Sequence, residues 1–265
     1  MNSDSPREGD LAADLARALA ANEFYLVYQP EIDLHTNGFA GVEALLRWRH
    51  PRRGVMNAAE FLSLLDESGD IVAVGAWIVR TACLQGAEWH AKGYRFPVAV
   101  NASLTQLRQG GVTRDVARSL RESRLDPSRV TIEFSHAALG EPEVLSHLAE
   151  LRALGVQLAI DDFSPGHPAF DELRDLSVDI IKLDRGFVAA SAGDIGHAQI
   201  HQLVQEARSM HLRVIASGVE DAVQRDHLRL EHVDVGQGFH FARPFEAHEI
   251  DLFLEDFALF SGRPL

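Results

Sequence analysis

The chain has a single cysteine, Cys83, so no disulfide can form within it. Cys83 lies in an apolar helical stretch from Ala73 to Leu84 and reads as a small buried hydrophobe. A reducing, cytoplasmic setting is expected. No apolar run approaches the roughly 20 residues that span a bilayer. The start, Met1-Asn-Ser-Asp-Ser-Pro-Arg-Glu8, lacks the charged-then-apolar pattern of a secretory signal. No membrane partner is expected. Positive charge is also scarce: 25 Lys and Arg stand against 39 Asp and Glu, for a net charge of -14. Such a surface repels DNA and RNA backbones. It does not exclude a small anionic nucleotide held by local cations or metal. Thirteen histidines are scattered without zinc spacing and read mostly as surface residues. No glycine-rich dinucleotide fingerprint follows an early strand.

What is present is a core-forming chain. Hydrophobic residues make up 46% of 265 positions. That length fits one (β/α)8 barrel, usually about 250 residues, or two ordinary domains. The run Phe24-Tyr-Leu-Val-Tyr-Gln-Pro30 reads as a strand. Further strands are predicted at 40–46, 96–101, 129–134, 156–161, 178–183, 212–217 and 233–237. Helical patterns occupy 11–21, 58–67, 71–92, 113–123, 143–154, 170–176, 198–210, 221–230 and 248–257. Alternation of this kind builds a largely parallel sheet with crossover helices. Eight strands favour a closed α/β barrel over an open doubly wound sheet. Residues 1–9 read as a disordered tail or linker remnant, 10–258 as the barrel domain and 259–265 as a C-terminal tail. No internal repeat or linker interrupts the domain.

Several apolar runs end in polar residues. Val98-Ala-Val leads to Asn101, Val130-Thr-Ile to Glu133, and Leu158-Ala-Ile to Asp161 and Asp162. Ile180-Ile leads to Lys182 and Val214-Ile-Ala to Ser217, and Glu43 sits inside an apolar strand. Buried charges are costly unless paired or metal-bound. At the carboxyl ends of parallel strands they converge on one mouth, where such barrels do chemistry. Glu43, Asn101, Glu133 and Asp161 offer oxygen donors suited to Mg²⁺ or Mn²⁺. Asp161 and Asp162 in succession can serve two metals, the usual device for attacking a phosphodiester with water. Lys182 can orient that water, and Arg47 can grip a phosphate as a planar fork. Taken singly, Asp161 and Asp162 could be helix caps, and Glu43 and Arg47 a core ion pair. Six or seven such residues at successive strand ends make that joint reading poor.

These motifs resemble the EAL domain family, which hydrolyses or binds cyclic diguanylate (c-di-GMP). The signature is Glu43-Ala44-Leu45, within Glu43-Ala-Leu-Leu-Arg47-Trp48. Tyr28-Gln29-Pro30, Asn101-Ala-Ser103, Asp161-Asp162-Phe163 and Ile181-Lys182-Leu183-Asp184 follow in the family's order. So do Gly218-Val-Glu220, Gln237-Gly-Phe239 and Ala242-Arg-Pro244. The resemblance covers residues 10 to 258. It implies a TIM-like (β/α)8 barrel whose first strand runs antiparallel to the rest. It implies metal ligation by Glu43, Asn101, Glu133 and Asp161, with Asp162 on a second metal and Lys182 as a catalytic lysine touching the water. Gln29, Arg47, Asp184 and Gln237 would line the nucleotide, and active members release linear pGpG. It further implies the bacterial second-messenger setting, a homodimer, a protein partner, and sensory or GGDEF modules upstream.

Three departures fall on the catalytic apparatus. Ser217 in Ala216-Ser217-Gly218-Val219-Glu220 stands where the family has a glutamate, a second-metal ligand and candidate base. A neutral hydroxyl cannot replace that anion, and loss of a general base alone costs about 10²–10⁴-fold in rate. His136 stands where the family has an acid that anchors the neighbouring loop. That loop, Asp162-Phe-Ser-Pro165-Gly-His167-Pro168-Ala169, has two prolines and Ser164 in place of a glycine. A His136–His167 contact that replaces the lost acid is one reading; drift at two positions is the simpler one. The expected function is c-di-GMP binding with little or no hydrolysis, as a receptor or regulatory module. The alternatives are a working phosphodiesterase, with Glu220 or water helping to hold the second metal, and an interaction module without nucleotide.

Overall fold

The computed structural model describes residues 8–164, 173, 178–190 and 194–261. It begins with helix α1 (Glu8–Ala18), whose Leu11, Leu15 and Ala18 are buried on one face. Strand β1 (Phe24–Asp33) turns through Asn37, at φ 53°, into β2 (Phe39–His50). Asp33 shapes the turn: its Oδ1 accepts the amide N–H groups of His35 and Thr36, at 3.0 and 2.7 Å. A short strand β3 (Gly54–Asn57) folds back on the end of β2.

Helix α2 (Leu62–Ser68) and the long α3 (Ile71–Ala91) lead to β4 (Val98–Asn101). Helices α4 (Leu104–Arg108) and α5 (Gly111–Ser123) lead to β5 (Val130–Ser135). Helix α6 (Pro142–Ala153) returns the chain to β6 (Gln157–Phe163). Strand β7 (Ile180–Leu183) is followed by α7 (Arg185–Ala190) and α8 (Asp194–Ser209). Then come β8 (Arg213–Ser217), α9 (Ala222–Leu230), β9 (Val235–Gln237) and α10 (Ala247–Ser261).

Strands β2, β4, β5, β6, β7, β8 and β9 pair in parallel. β1 closes the ring by pairing antiparallel with both β2 and β9. The result is the eight-stranded barrel with a reversed first strand, and β3 lies outside it as an extra hairpin arm. Inside the barrel, Ala159, Ile180, Ile215 and Val235 form a small apolar layer. A far larger apolar layer fills the space between strands and helices. The interior then changes character: Glu31, Glu43, Glu133, Lys182 and Gln237 are polar and buried.

The predicted strands all occur, with β1 and β2 running further than expected. β3, α4 and α7 were not predicted. α4 is one turn held by a capping box, in which Ser103 and Gln106 bond each other's backbone amides. The helix expected over 170–176 and the tail expected at 259–265 fall wholly or partly outside the described residues. Among the described residues, no helix is long and apolar enough to cross a membrane.

Candidate active site

Strand ends set the site. Glu43, Asn101, Glu133 and Asp161 come from β2, β4, β5 and β6, neighbours in the ring. Register places Glu43 level with Ala99, and Asn101 level with Glu133. Gln29 of the reversed strand lies directly opposite Glu43.

Lys182 is the hub. Its Nζ donates to Glu43 Oε2 at 2.9 Å and to Glu133 Oε2 at 2.6 Å. Asn101 Nδ2 donates to Glu43 Oε1 at 2.7 Å, and Gln237 Nε2 to Glu43 Oε2 at 2.8 Å. Glu43 is therefore bonded by Lys182, Asn101 and Gln237 and does not form the core ion pair with Arg47.

Electrostatics give the site its chemistry. Burial alone would raise the pKa of Glu43, but Lys182, Gln237 and Asn101 together hold it below its usual value. Glu133 is pushed well above the usual range, first by burial and then by the neighbouring Glu43 charge. Burial likewise raises Asp161 and Glu31. Burial would strip Lys182 of its proton, but Glu133, Glu43, Asp161 and Glu31 outweigh it and raise its pKa well above normal. Four carboxylates thus surround one ammonium. Glu133 Oε1 is buried without a hydrogen-bond partner among the described residues. With its nitrogen committed to Glu43, Asn101 has its carbonyl oxygen available as a donor. An anion-rich set of hard oxygen donors with an orphaned carboxylate oxygen fits a divalent cation. Glu43, Asn101, Glu133 and Asp161 are the residues that would hold it, and such an ion would polarise a phosphate and activate water.

The two successive acids lie in a strand irregularity rather than at a helix start. Between Ile160 and Phe163, β6 carries one residue more than β7. Asp162 takes a left-handed backbone, φ 55°, and is exposed, while Asp161 is half-buried. This bulge lets neighbouring residues both reach the mouth, against strand alternation.

The mouth opens into a cavity of about 700 Å³. Its wall includes Gln29, Glu43, Arg47, Asp161, Asp162, Lys182, Asp184, Ser217 and Gln237. Asn101 and Glu133 face a second cavity of about 330 Å³ that shares Asp161 and Asp162 with the first. Arg47 is half-buried, and burial lowers its pKa. Its guanidinium donates to its neighbour Leu46's carbonyl at 2.8 Å, and no carboxylate pairs with it among the described residues. Such a partly desolvated cation suits a phosphate. Asp184 accepts the Phe187 amide at 3.0 Å and so also caps α7. Gln29 donates to the Ala242 carbonyl at 3.3 Å.

Ser217 ends β8 level with Gln237. It is half-buried, and its Oγ has no hydrogen-bond partner among the described residues. Glu220 reaches the same cavity wall, where Arg185 pairs with it. His136 is half-buried at the start of a 3-10 turn after β5. His167 lies outside the described residues, as does the loop from Pro165, so the expected contact between the two histidines does too.

Residues 12–244 match the EAL domain family model. The chain belongs to the EAL domain family. It is 34% identical over 254 residues to the bifunctional diguanylate cyclase/cyclic di-GMP phosphodiesterase MucR of Pseudomonas aeruginosa, covering 94% of this chain and 37% of that protein. This EAL domain spans about a third of the length of the curated relatives it matches first. Among solved structures, the MucR phosphodiesterase in complex with c-di-GMP superposes with a TM-score of 0.87 at 33% identity, over 91% of this chain and 99% of that one. The FimX EAL domain of Pseudomonas aeruginosa bound to c-di-GMP superposes at 0.79 with 26% identity, over 89% and 97%. The family ties the chain to c-di-GMP signalling.

Three features of the site escape sequence reading. Glu31, two residues beyond Gln29 on the same strand face, is a third buried acid beside Glu43 and Glu133. Its signal was an acid within a strand-like run. Phe239 and Arg243 line the cavity, with the guanidinium 4.7 Å from the ring centroid. The Arg185–Glu220 pair could not be found from spacing, because it joins the start of α7 to the loop after β8.

Proposed function

We propose that this EAL domain binds c-di-GMP at the barrel mouth with little or no hydrolysis, acting as a receptor or regulatory module. The observation that supports it is the contrast between the two sides of the mouth. One side gathers Glu43, Asn101, Glu133 and Asp161 around Lys182. It suits a single Mg²⁺ or Mn²⁺. The other side has Asp162 and the neutral Ser217, too little charge for a second ion. Arg47 faces the cavity without an acidic partner among the described residues, ready for a phosphate. Gln29, Asp184 and Gln237 complete the nucleotide wall. Lys182 has the place of the catalytic lysine, and Glu43 that of a ligand it steadies. Two related domains, the MucR phosphodiesterase and the FimX EAL domain, hold c-di-GMP in their solved structures.

Calorimetry with c-di-GMP, with and without Mn²⁺, tests binding, and a pGpG assay with excess Mn²⁺ tests turnover. Binding without product is the expected result. Rapid pGpG release would favour a second reading, a working phosphodiesterase. That reading draws on Glu220, which lies on the same cavity wall as Ser217. The Arg185 ion pair weakens it by occupying that carboxylate.

A further inference from the structure

Away from the mouth, the outer helices bring together nitrogen ligands that the c-di-GMP site does not use. His197 and His201 are four residues apart on α8, so they share one face. His227 and Glu231 are four apart at the end of α9 and repeat the arrangement. Each helix follows a parallel strand and returns along the barrel, so the two faces run side by side. Folding thereby gathers histidines that look scattered along the chain. The rings of His197 and His227 stack, with centroids 3.6 Å apart and planes 17° apart. One ligand atom each from His197, His227 and Glu231 lies within 4.8 Å of the other two. His201 Nδ1 lies 2.8 Å from Glu231 Oε2.

We propose that His197, His227 and Glu231 form a second metal site, for a transition-metal ion of the zinc class, with His201 as the positioning residue that holds the Glu231 carboxylate. Imidazole nitrogen selects Zn²⁺, Co²⁺, Ni²⁺ or Cu²⁺ over Mg²⁺ and Mn²⁺, the reverse of the oxygen donors at the mouth. Ligands of a tetrahedral zinc stand about 3.3 Å apart, from bonds of about 2.0–2.1 Å. Bringing the three atoms from within 4.8 Å to that spacing needs side-chain rotation, for which the exposed His197 has room. His227 Nε2 is buried and has no hydrogen-bond partner among the described residues. A buried ring nitrogen left unpaired is costly, and an ion would satisfy it. The hydrogen bond from His201 to Glu231 is the outer support that metal-ligating carboxylates usually have.

The ion would tie α8 to α9, the helices after β7 and β8, which deliver Lys182 and Ser217 to the mouth. The site stands independently of nucleotide binding there.

The test uses untagged full chain, stripped with chelator and dialysed against zinc in excess MgCl₂, which occupies the oxygen-donor site. The expected result is one zinc retained by the native protein and lost in the His197→Ala/His227→Ala variant. Cobalt substitution should give visible ligand-field bands of tetrahedral intensity that vanish in the same variant. His201→Ala should weaken zinc about 10–100-fold, with the stoichiometry unchanged. His197 is exposed, so His197→Ala alone gives the same reading should the double variant not fold. Zinc uptake equal in native and variant proteins, or none in the native protein, overturns the proposal.

Discussion

Lys182 Nζ stands 2.6 Å from Glu133 Oε2, at the centre of a buried group with more negative than positive charge. Removing the ammonium leaves Glu43 and Glu133 without their cation. Lys182→Met should cost about 3–5 kcal/mol, the usual penalty for breaking a buried pair. That corresponds to a fall of roughly 6–20 °C in Tm for a domain of this size. Thermal unfolding without metal measures it, and Mn²⁺ should restore part of the loss. An unchanged Tm would mean the acids are already protonated and the pair is not ionic.

Glu133 offers the pH test. Its folded pKa is raised well above normal by burial and by Glu43. A raised carboxyl binds its proton more tightly folded than unfolded. It therefore stabilises the fold at low pH, and that contribution is lost as pH rises from the ordinary carboxylate range through the raised value. A divalent ion needs the ionised form, so Mn²⁺ should stabilise more as pH rises over the same window. Glu133→Gln keeps an oxygen for Lys182 and removes a charge. It should raise the metal-free Tm at pH 7 by a few degrees (about 2–4 °C per kcal/mol) and abolish most of the Mn²⁺ response. Melting curves over a pH series, with and without Mn²⁺, give both readings.

Ser217→Glu restores an acid where the family usually has one. The expected outcome is tighter binding of a second ion and pGpG production raised by up to about 10²–10⁴-fold, the range of a general base. If neither moves, the rewritten segment from Asp162 to Ala169 is the main defect.

Arg47→Ala should weaken c-di-GMP about 10–100-fold, from the roughly 1.5–3 kcal/mol of hydrogen bonds to a charged group. Calorimetry reads it whether or not the protein is an enzyme. Unchanged affinity would place the phosphates elsewhere in the cavity.

The barrel and the membership of the mouth were legible because both are written in local pattern. A short apolar run ending in a polar residue, five times over, is what a strand ending at a charged mouth must look like. The side-chain pairings were not legible. Glu43 was weighed as a partner for Arg47, four residues away, yet it bonds Lys182, Asn101 and Gln237 from three other strands. Such pairings depend on ring closure, which has no signature in spacing. The β6 bulge was equally hidden, since it exists only relative to β7. Strand β3 and helix α4 escaped because each is about one turn or one hairpin arm long, too short for a period to register.

The reversed direction of β1 has one more result. In a barrel of parallel strands alone, every strand enters from the floor, far from the chemistry. Here the opening residues Tyr25, Val27 and Gln29 are themselves part of the cavity wall. Helix α1 sits just upstream, and its Asp14 Oδ2 lies 3.1 Å from His50 Nε2 at the far end of β2. Only residues 19–24 separate that helix from Tyr25, the first residue of the cavity wall, so the start of the barrel and its mouth are joined by a very short path.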